Sequence, residues 1–282
     1  MMIMKWPIYC LFLITWPLFG QVKSSLSGEL PLIEAGAGAA SFSIPDYPGS
    51  DQSSTISLPF PTAIIRDETF RVDENGGARG RFFKSEYTEI NLSFGGALPV
   101  KSKNNRARSG MSNIDPLIEV GPGLIITLIK PSSIKQKLSL NIPIRLGLST
   151  DFKSLDSRGF VFNPLLFYYR ESFLVNDLIL FTSLDARWTT EQYQDYFYEV
   201  APEYAKSGRD QYNARGGYSG SSASIGLSYS WSPKWTTFAG FHYSYYDGAT
   251  NWDSPLLISR RTISFGAGFI WWFYQSEARG VR

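Results

Sequence analysis

Residues 136–149 read QKLSLNIPIRLGLS and alternate between apolar and polar side chains over the whole stretch. Every second residue from Leu138 to Leu148 is leucine or isoleucine. A period of two residues predicts a β-strand with one apolar and one polar face. The run exceeds the roughly 5–6 residues usual in globular strands and reaches the roughly 9–11 that cross a membrane. We therefore predict a membrane-spanning strand whose leucines face lipid.

The same alternation recurs at residues 90–95, 222–231, 235–245 and 263–273. Counted from residue 30 to 274, the segments predict an all-β, antiparallel transmembrane barrel of about twelve strands, within a range of roughly 10–14. Aromatic residues near strand ends predict interfacial girdles. They are Trp231, Trp235, Tyr243–Tyr246, Trp271 and Trp272. Short turns alternate with longer polar connections, such as 101–113 and 205–220, as in outer-membrane barrels.

The composition agrees with a barrel. The 282 residues include 27 Lys and Arg against 25 Asp and Glu, a formal net charge of +2. This balance gives no electrostatic basis for binding nucleic acid. Charged residues make up 18%, below the roughly 25% of soluble domains. The alternative, a soluble β-sandwich, predicts shorter strands and more charge on the exposed face.

The N-terminus has the order of a secretory signal peptide. A basic start, Met1–Lys5, precedes the uncharged apolar run Trp6–Phe19, which is shorter than the roughly 20 residues of a membrane-spanning helix. We predict a signal peptide at 1–24, cleaved between 20 and 28, a barrel at 28–274 and a tail at 275–282. An uncleaved anchor is the alternative. The single cysteine, Cys10, lies in the apolar run, so the mature barrel is expected to contain no disulfide.

Few residues are candidates for catalysis or metal binding. His242 is the only histidine and would have to be the base of a hydrolase, with Ser244 and Asp247 as its sequence neighbours. The other reading is a structural histidine among tyrosines. One cysteine and one histidine cannot form a standard zinc site, so we expect no metal and no cofactor.

Two groups of charged residues have alternative readings. Lys101, Lys103, Arg106 and Arg108 lie in one polar connection, either as a solvated loop or as a contact for lipopolysaccharide phosphates. Glu119 shares a small-residue face with Gly121 and Gly123, and Arg145 on the next strand is a candidate partner. An ion pair that ties the barrel and a selectivity group in a pore remain two alternatives.

Four segments carry a resemblance to a known family. They are Pro45–Asp51, Arg108–Gly123, Asp195–Val200 followed by Arg209, Tyr212 and Gly216–Tyr218, and Asp253–Leu256. In this order, they resemble the MipA/OmpV family of outer-membrane proteins over about residues 32–274. The family pattern implies an outer-membrane barrel without catalytic residues. Phe273 or Tyr274 would be the aromatic insertion signal, although the chain continues beyond them.

The resemblance also implies a function. It suggests a non-enzymatic scaffold in the Gram-negative outer membrane, in contact with lipid and lipopolysaccharide, that links a lytic transglycosylase to a penicillin-binding protein. A narrow channel or uptake protein is the alternative, and a barrel-embedded hydrolase using His242 is another. About twelve strands leave a narrower bore than the 16–18 strands of porins, which favours the scaffold.

Overall fold

The computed structural model describes residues 31–66, 70–73, 77–129 and 136–278. The predicted signal peptide at 1–24, its cleavage region and Cys10 lie outside the described residues, so they stay predictions. The predicted tail is described only at 275–278.

Thirteen strand segments and one α-helix account for most of the described residues. The strands are β1 (Ile33–Pro45), β2 (Ser53–Arg66), β3 (Phe70–Asp73), β4 (Gly77–Lys84), β5 (Thr88–Ala97), β6 (Leu117–Ile129), β7 (Gln136–Thr150), β8 (Leu155–Phe162), β9 (Leu165–Arg170), β10 (Leu178–Thr189), β11 (Gly217–Ser232), β12 (Trp235–Tyr245) and β13 (Arg261–Gln275). The helix is α1 (Glu191–Tyr198). Successive strands pair antiparallel, and β13 returns to pair with β1, which closes the sheet into a barrel.

Two of these segments share one position in the barrel. β7 pairs with β9 through Gln136–Asn141 and with β8 through Ile144–Thr150. Asn163 and Pro164 separate β8 from β9, and proline interrupts a strand because it cannot donate to the ladder. The described segments therefore occupy twelve positions, and the predicted twelve-stranded antiparallel barrel is confirmed.

The two ends of the barrel differ. One end, called the turn end, contains the start of β1, the ends of β2, β6 and β13, and the connections 85–87, 171–177 and 233–234. The other, called the loop end, contains the connections 46–52, 98–116, 151–154, 190–216 and 246–260. Outer-membrane barrels place short turns in the periplasm and long loops outside the cell. The predicted asymmetry is present, and the turn end corresponds to the periplasmic side.

Alternate residues of the strands face outward and inward as the period predicts. On β13, Phe265 is 58% exposed, whereas Thr262 and Ser264 are buried. On β7, Ile144 is 52% exposed, whereas Arg145 is buried. The apolar face of these strands therefore points away from the barrel interior, and the polar face lines it.

Two aromatic residues differ from the predicted girdle. Trp231, Trp235 and Trp271 are exposed near the turn end, as predicted. Trp272 has the opposite parity and is buried inside the barrel, where its indole nitrogen donates to the Thr236 hydroxyl at 3.2 Å. Tyr246 is also buried, among the loops at the loop end.

The barrel interior contains two apolar clusters, one toward each end. The cap, at the loop end, is formed by Tyr47, Val100, Ile114, Leu117, Val161, Tyr193, Phe197, Tyr198, Val200, Ala214, Tyr246, Ala249, Leu256 and Leu257. The base, nearer the turn end, is formed by Ala40, Ile64, Phe167, Tyr169, Ile179, Phe181, Phe238, Ile270 and Trp272, with Phe42 and Phe60 against them. The cap draws on loops and the base on strands, so they bound the interior from opposite ends.

Helix α1 was not predicted from the sequence. It contains eight residues and follows β10 directly, with Tyr193, Phe197 and Tyr198 buried in the cap. Among the described residues, no helix is long and apolar enough to cross a membrane.

Candidate functional site

The four segments that carry the family resemblance meet in the cap. The Tyr47 hydroxyl donates to the carbonyl of Leu256 at 2.8 Å, and the Tyr198 hydroxyl donates to the carbonyl of Pro48 at 3.1 Å. The Ser254 hydroxyl donates to the carbonyl of Tyr198 at 2.8 Å. These bonds span 56 to 209 residues of sequence. The segments therefore act together to hold the loops over the barrel mouth.

The basic connection is divided between the cap and the solvent. Arg108 is buried and donates to the carbonyl of Phe197 at 2.9 Å, and burial lowers its pKa. Arg106 is exposed and pairs with Asp51 at 2.5 Å. The reading of all four residues as one solvated or lipopolysaccharide-binding cluster is therefore wrong for Arg108, which is held inside the cap. Lys101 and Lys103 remain exposed.

Helix α1 places a tyrosine over the barrel interior and a carboxylate beside other acids. The Tyr193 hydroxyl donates to Glu119 at 2.7 Å, and burial raises the pKa of this tyrosine. Burial also raises the pKa of Asp195 to about 6, with a further contribution from Glu199 and Glu191. The helix thus combines a neutral hydroxyl donor with an acid that titrates near neutral pH.

Glu119 is the centre of a buried charge network below the cap. Arg145 donates to it at 3.0 Å, which confirms the partner predicted from sequence. Arg187 donates to its other carboxylate oxygen, and this partner was not predicted. Both arginines also contact other groups, since Arg145 donates to the Ser93 hydroxyl at 3.2 Å. The carboxylate has no exposed surface, and together with its two arginine partners it forms a group with a net charge of +1.

Gly95 allows this ion pair to approach the neighbouring strand. A Cβ atom at this position would lie 2.5 Å from the Glu119 carboxylate and 3.0 Å from Arg145 Nε. Contacts this short do not occur for real Cβ atoms, so a larger residue would displace the pair. The sequence signal for this network was the row of small residues on the same face of β6 as Glu119. In the structure, the small residues continue onto β5 at Gly95.

A cavity of about 1100 Å³ lies between the cap and the base and is called the chamber. Tyr193, Phe197 and Tyr246 of the cap form its upper boundary, and Phe42 and Phe167 form its lower boundary. Its side walls carry serine, asparagine and threonine side chains together with the Glu119 network. Ligand pockets usually measure roughly 300–1000 Å³, so the chamber is large enough for a small molecule.

His242 lines the chamber but is already engaged by serines. The Ser224 hydroxyl lies 2.8 Å from Nδ1 and the Ser244 hydroxyl 3.0 Å from Nε2. The nearest strand acid, Asp185, accepts hydrogen bonds from Ser222 and Asn163. In a serine hydrolase triad, the acid orients one imidazole nitrogen and the nucleophile occupies the other. The observed contacts place serine on both nitrogens.

Asp247, the other predicted neighbour of His242, lies apart from it, in the loop after β12. It pairs with Arg260 at 3.4 Å. Within the residues that the structure describes, no group of three or more His, Cys, Asp and Glu side chains could hold a metal ion. The glycine-rich stretch around Gly216 forms the start of β11.

A protein-family model described as "MltA-interacting protein MipA" matches residues 37–273. The match covers more than half of the chain and contains all four segments that meet in the cap. A comparison with curated proteins found no match.

Solved structures with similar backbones are all distant in sequence. A bacterial polysaccharide outer membrane secretin is 9% identical, with 86% of this chain and 99% of that chain covered and a TM-score of 0.41. A FadL homologue from Pseudomonas aeruginosa is 10% identical, with 87% and 91% covered and a TM-score of 0.31. The outer membrane protease OmpT from Escherichia coli is 10% identical, with 88% and 99% covered and a TM-score of 0.26.

Proposed function

Because the chain belongs to the MltA-interacting protein MipA family, we propose that this outer-membrane barrel is a non-enzymatic scaffold. Its periplasmic face would bind a lytic transglycosylase and link it to a murein-synthesising penicillin-binding protein. The family name supports the first partner, and the second follows from the resemblance in the sequence. The observation that supports a scaffold over a channel is the interior, where the cap and the base pack apolar side chains at opposite ends.

Charged groups strengthen this packing. At the turn end, Arg66 pairs with Glu34 at 2.8 Å, and both side chains are buried. Below the cap, Arg145 and Arg187 pair with Glu119. A conducting pore needs lining groups that can bind an ion and release it. The charged groups described here form ion pairs with one another instead. We therefore assign Glu119 to tying the barrel together, and the pore alternative loses its selectivity group.

The turn between β9 and β10 is the candidate contact for a periplasmic partner. Leu174 is 83% exposed and Val175 54% exposed, although exposing a leucine side chain to water is unfavourable. Leu174 also has a φ of 65°, a conformation that is uncommon for residues other than glycine, asparagine and aspartate. An exposed apolar side chain on a constrained turn is well suited to insert into a partner, because little conformational entropy is lost on binding.

The test is retention of envelope proteins on the purified, detergent-solubilised full chain. Leu174→Asn keeps a residue that accepts the positive φ and removes the apolar side chain. We expect it to reduce retention of a lytic transglycosylase several-fold relative to the unmodified chain, with mass spectrometry as the readout. Loss of a penicillin-binding protein in parallel would support the link between the two enzymes.

Phe152→Asn is the matched control at the opposite end of the barrel. Phe152 is 69% exposed in the turn before β8 and has a φ of 68°, so the substitution changes the same properties at the loop end. It should leave retention unchanged. Failure of the unmodified chain to retain any murein enzyme would reject the scaffold, and equal loss in both variants would reject the turn as its contact.

Two other functions would give different results. Step conductance of the purified barrel in planar bilayers would favour the channel. Hydrolysis of phospholipid or peptide, abolished by His242→Ala, would favour the embedded hydrolase. The serines on both imidazole nitrogens and the paired charges below the cap favour neither.

A further inference from the structure

The barrel wall is incomplete between β2 and β5. β2 pairs with β1 from Ser53 to Ile65 but with β3 only at Ile65 and Arg66. β5 pairs with β6 along its whole length but with β4 only from Glu89 to Asn91. Within the described residues, no strand pairs with the other edges of Ser53–Pro61 and Leu92–Ala97. These two edges border a gap, called the opening, in the half of the wall nearer the loop end.

The length of the chain between β2 and β5 explains the opening. β3 has four residues and β4 has eight, whereas β2 has fourteen. β3 and β4 form four residue pairs, from Phe70 with Gly80 to Asp73 with Gly77. β2 forms thirteen pairs with β1, so the described part of the β3–β4 hairpin ends well short of the loop end.

The sequence of β2 suits a strand with a free edge. Pro59 and Pro61 lack an N–H group, and proline within sheets is confined largely to edges and bulges. Open sheet edges do not occur in contact with lipid unless they line a cavity in which their polar groups are satisfied. An edge at this depth is therefore expected to border an interior space that contains hydrogen-bonding groups.

The chamber is that space. Residues from both faces of each bordering strand line it, including Ile56 and Ser57 of β2 and Leu92 and Ser93 of β5. Every second residue of a strand faces the interior, and strands that are paired on both sides add at most four consecutive residues to the lining, such as 141–143 of β7 and 219–222 of β11. The consecutive runs on the two unpaired edges are longer, 54–58 of β2 and 91–97 of β5. The chamber therefore extends along both edges of the opening.

The chemistry of the chamber changes with distance from the opening. Near the opening, the side chains that line it include Phe42, Ile44, Ile56 and Leu58. Farther around the wall, the lining includes the hydroxyls of Ser222, Ser224, Ser244 and Ser264, from β13, which pairs with β1, to β11 on the far side. The apolar residues of β1 and β2 thus adjoin a row of uncharged hydrogen-bonding groups.

The charged residues of the lining balance. They are Asp46, Lys101, Glu119, Arg145, Asp185 and Arg187. Three are acidic and three are basic, so the lining has no net charge to attract an ion. Glu119 with its two arginine partners has a net charge of +1, and Asp185 on the same lining, which interacts with Arg187, balances that charge.

We propose that the opening is a lateral portal through which the chamber takes up a single-chain amphiphile from the outer leaflet of the membrane. The acyl chain lies against Phe42, Ile56 and Leu58, and a neutral, hydroxyl-bearing head group binds the serines of β11–β13. The cap and the base pack apolar side chains toward the two ends of the chamber, and the opening between them is the route of the acyl chain. This binding site is separate from the periplasmic turn and does not depend on the scaffold function.

Cysteine labelling tests the route. Ser264→Cys places a thiol on the buried serine wall of the chamber, in a full chain with Cys10 replaced by serine and reconstituted in lipid vesicles. We expect a membrane-partitioning pyrene maleimide to label it and a membrane-impermeant sulfonated maleimide not to. Ala267→Cys, on the outward face of β13, and Ser154→Cys, in a loop-end turn, are the controls for the lipid and the aqueous reagent.

Three results decide the route. Labelling by the membrane-partitioning reagent alone, slowed several-fold when Ile56→Trp narrows the opening, supports the portal. Labelling by both reagents at similar rates would reveal an aqueous path and reject it. Labelling by neither, with both controls reactive and the barrel still heat-modifiable on gels, would mean that the wall is closed.

Ligand binding tests the class of molecule. The probe is 1-monooleoylglycerol, and oleate is the charged comparator with the same chain. Native mass spectrometry of the reconstituted barrel should retain monooleoylglycerol several-fold more than oleate, and Leu58→Glu should reduce this retention. Equal or greater retention of oleate would reject the neutral head group, and retention of neither would reject the binding site.

Discussion

Two parts of the barrel wall alternate with the same period and opposite polarity. In the complete wall, β11–β13, the outward residues are large and apolar, such as Ile225 and Phe265, and the inward residues include Ser224 and Ser264. In the opening wall, β1–β2, small residues such as Ser41 and Ser57 face outward, while Phe42, Phe60 and Ile64 face inward. Alternation therefore identifies strands in both, but only the chemistry of the neighbourhood decides which face meets lipid.

The difference follows from what each wall borders. Each strand of the complete wall is paired on both sides, so its outer face only has to match lipid. The opening wall ends in an unpaired edge beside the chamber, and Phe42 and Phe60 on its inner face pack against the base. The complete wall also contributes Phe238, Ile270 and Trp272 to the base, so the two walls differ in their outer faces and in the serines that the complete wall adds nearer the loop end.

Substitution of the buried carboxylates Glu119 and Glu34 should give the largest change in stability. Glu119 belongs to β6, beyond the opening, and Glu34 to the opening wall. Glu119→Gln leaves buried Arg145 and part-buried Arg187 without their anion, and removing one partner of a buried ion pair costs about 3–5 kcal/mol. Glu34→Gln leaves one cation, Arg66, which also donates to the Pro31 carbonyl at 2.8 Å, so we expect a smaller loss. Denaturant unfolding in lipid vesicles measures both.

A double substitution serves as the control for the charge network. Glu119→Leu with Arg145→Leu removes both members of the pair, and replacing buried ion pairs by apolar residues is often neutral or stabilising. It should recover part of the stability lost in Glu119→Gln. A larger loss for Glu34→Gln than for Glu119→Gln would place the main electrostatic constraint at the turn end rather than below the cap.

An outward arginine should distinguish the two kinds of wall. Ile142→Arg, on the lipid face of β7, should lower the free energy of unfolding by about 2–4 kcal/mol, as at the bilayer midplane. Ser57→Arg, on the outer face of β2 near the loop end, should lower it by about 0–1 kcal/mol, as near an interface. Refolding both variants into vesicles and comparing their denaturant midpoints provides the measurement.

Asn141→Arg is the parity control for the same strand. Asn141 has the same parity as buried Ser139 and Arg145, so an arginine there enters a polar interior and should be milder than Ile142→Arg. Equal losses at Asn141 and Ile142 would mean that the faces of β7 are assigned wrongly. A loss at Ser57 as large as that at Ile142 would remove the distinction between the walls.

The period of two predicted the complete wall because its outward and inward residues differ strongly in polarity. It also placed Glu119 and Arg145 on facing polar positions, and the structure confirms their contact. Arg187 was missed because it is separated from Glu119 by 68 residues, and no local pattern relates them. The strand count included the opening wall, but the faces of β1 and β2 were not assigned, because Gly, Ala, Ser and Pro give little contrast between them.

The cap was recognised only as four family segments. Their convergence depends on loops that meet after the barrel closes, as in the bond from Tyr47 to the Leu256 carbonyl. Helix α1 has eight residues, too few for a clear helical period. Trp272 was placed in the girdle together with Trp271 because both lie near the end of the strand. Adjacent residues of a strand face opposite sides, so only Trp271 points outward.

The smallest expected effect concerns helix α1, which rests on the Glu119 network through Tyr193. Folding raises the pKa of Asp195 to about 6 from an unfolded value near 3.9. A raised acid pKa means that the folded state binds the proton more tightly, so its stabilising contribution is full below about pH 4 and is lost as pH rises through 6. At neutral pH, the ionised carboxylate therefore opposes folding of the helix.

Asp195→Asn removes this ionisation and should stabilise the barrel at pH 8 but not at pH 4. Asp195 is partly exposed, and solvent screening limits the gain to roughly 0.5–1 kcal/mol. Glu203→Gln, in the same loop but exposed, is the matched control and should change stability at neither pH. A gain for Asp195→Asn that is equal at pH 4 and pH 8 would show that the substitution acts through helix propensity or packing. A loss at pH 8 would mean that the ionised carboxylate has a favourable partner. Helix α1 would then be held in place by more than the bond from Tyr193 to Glu119.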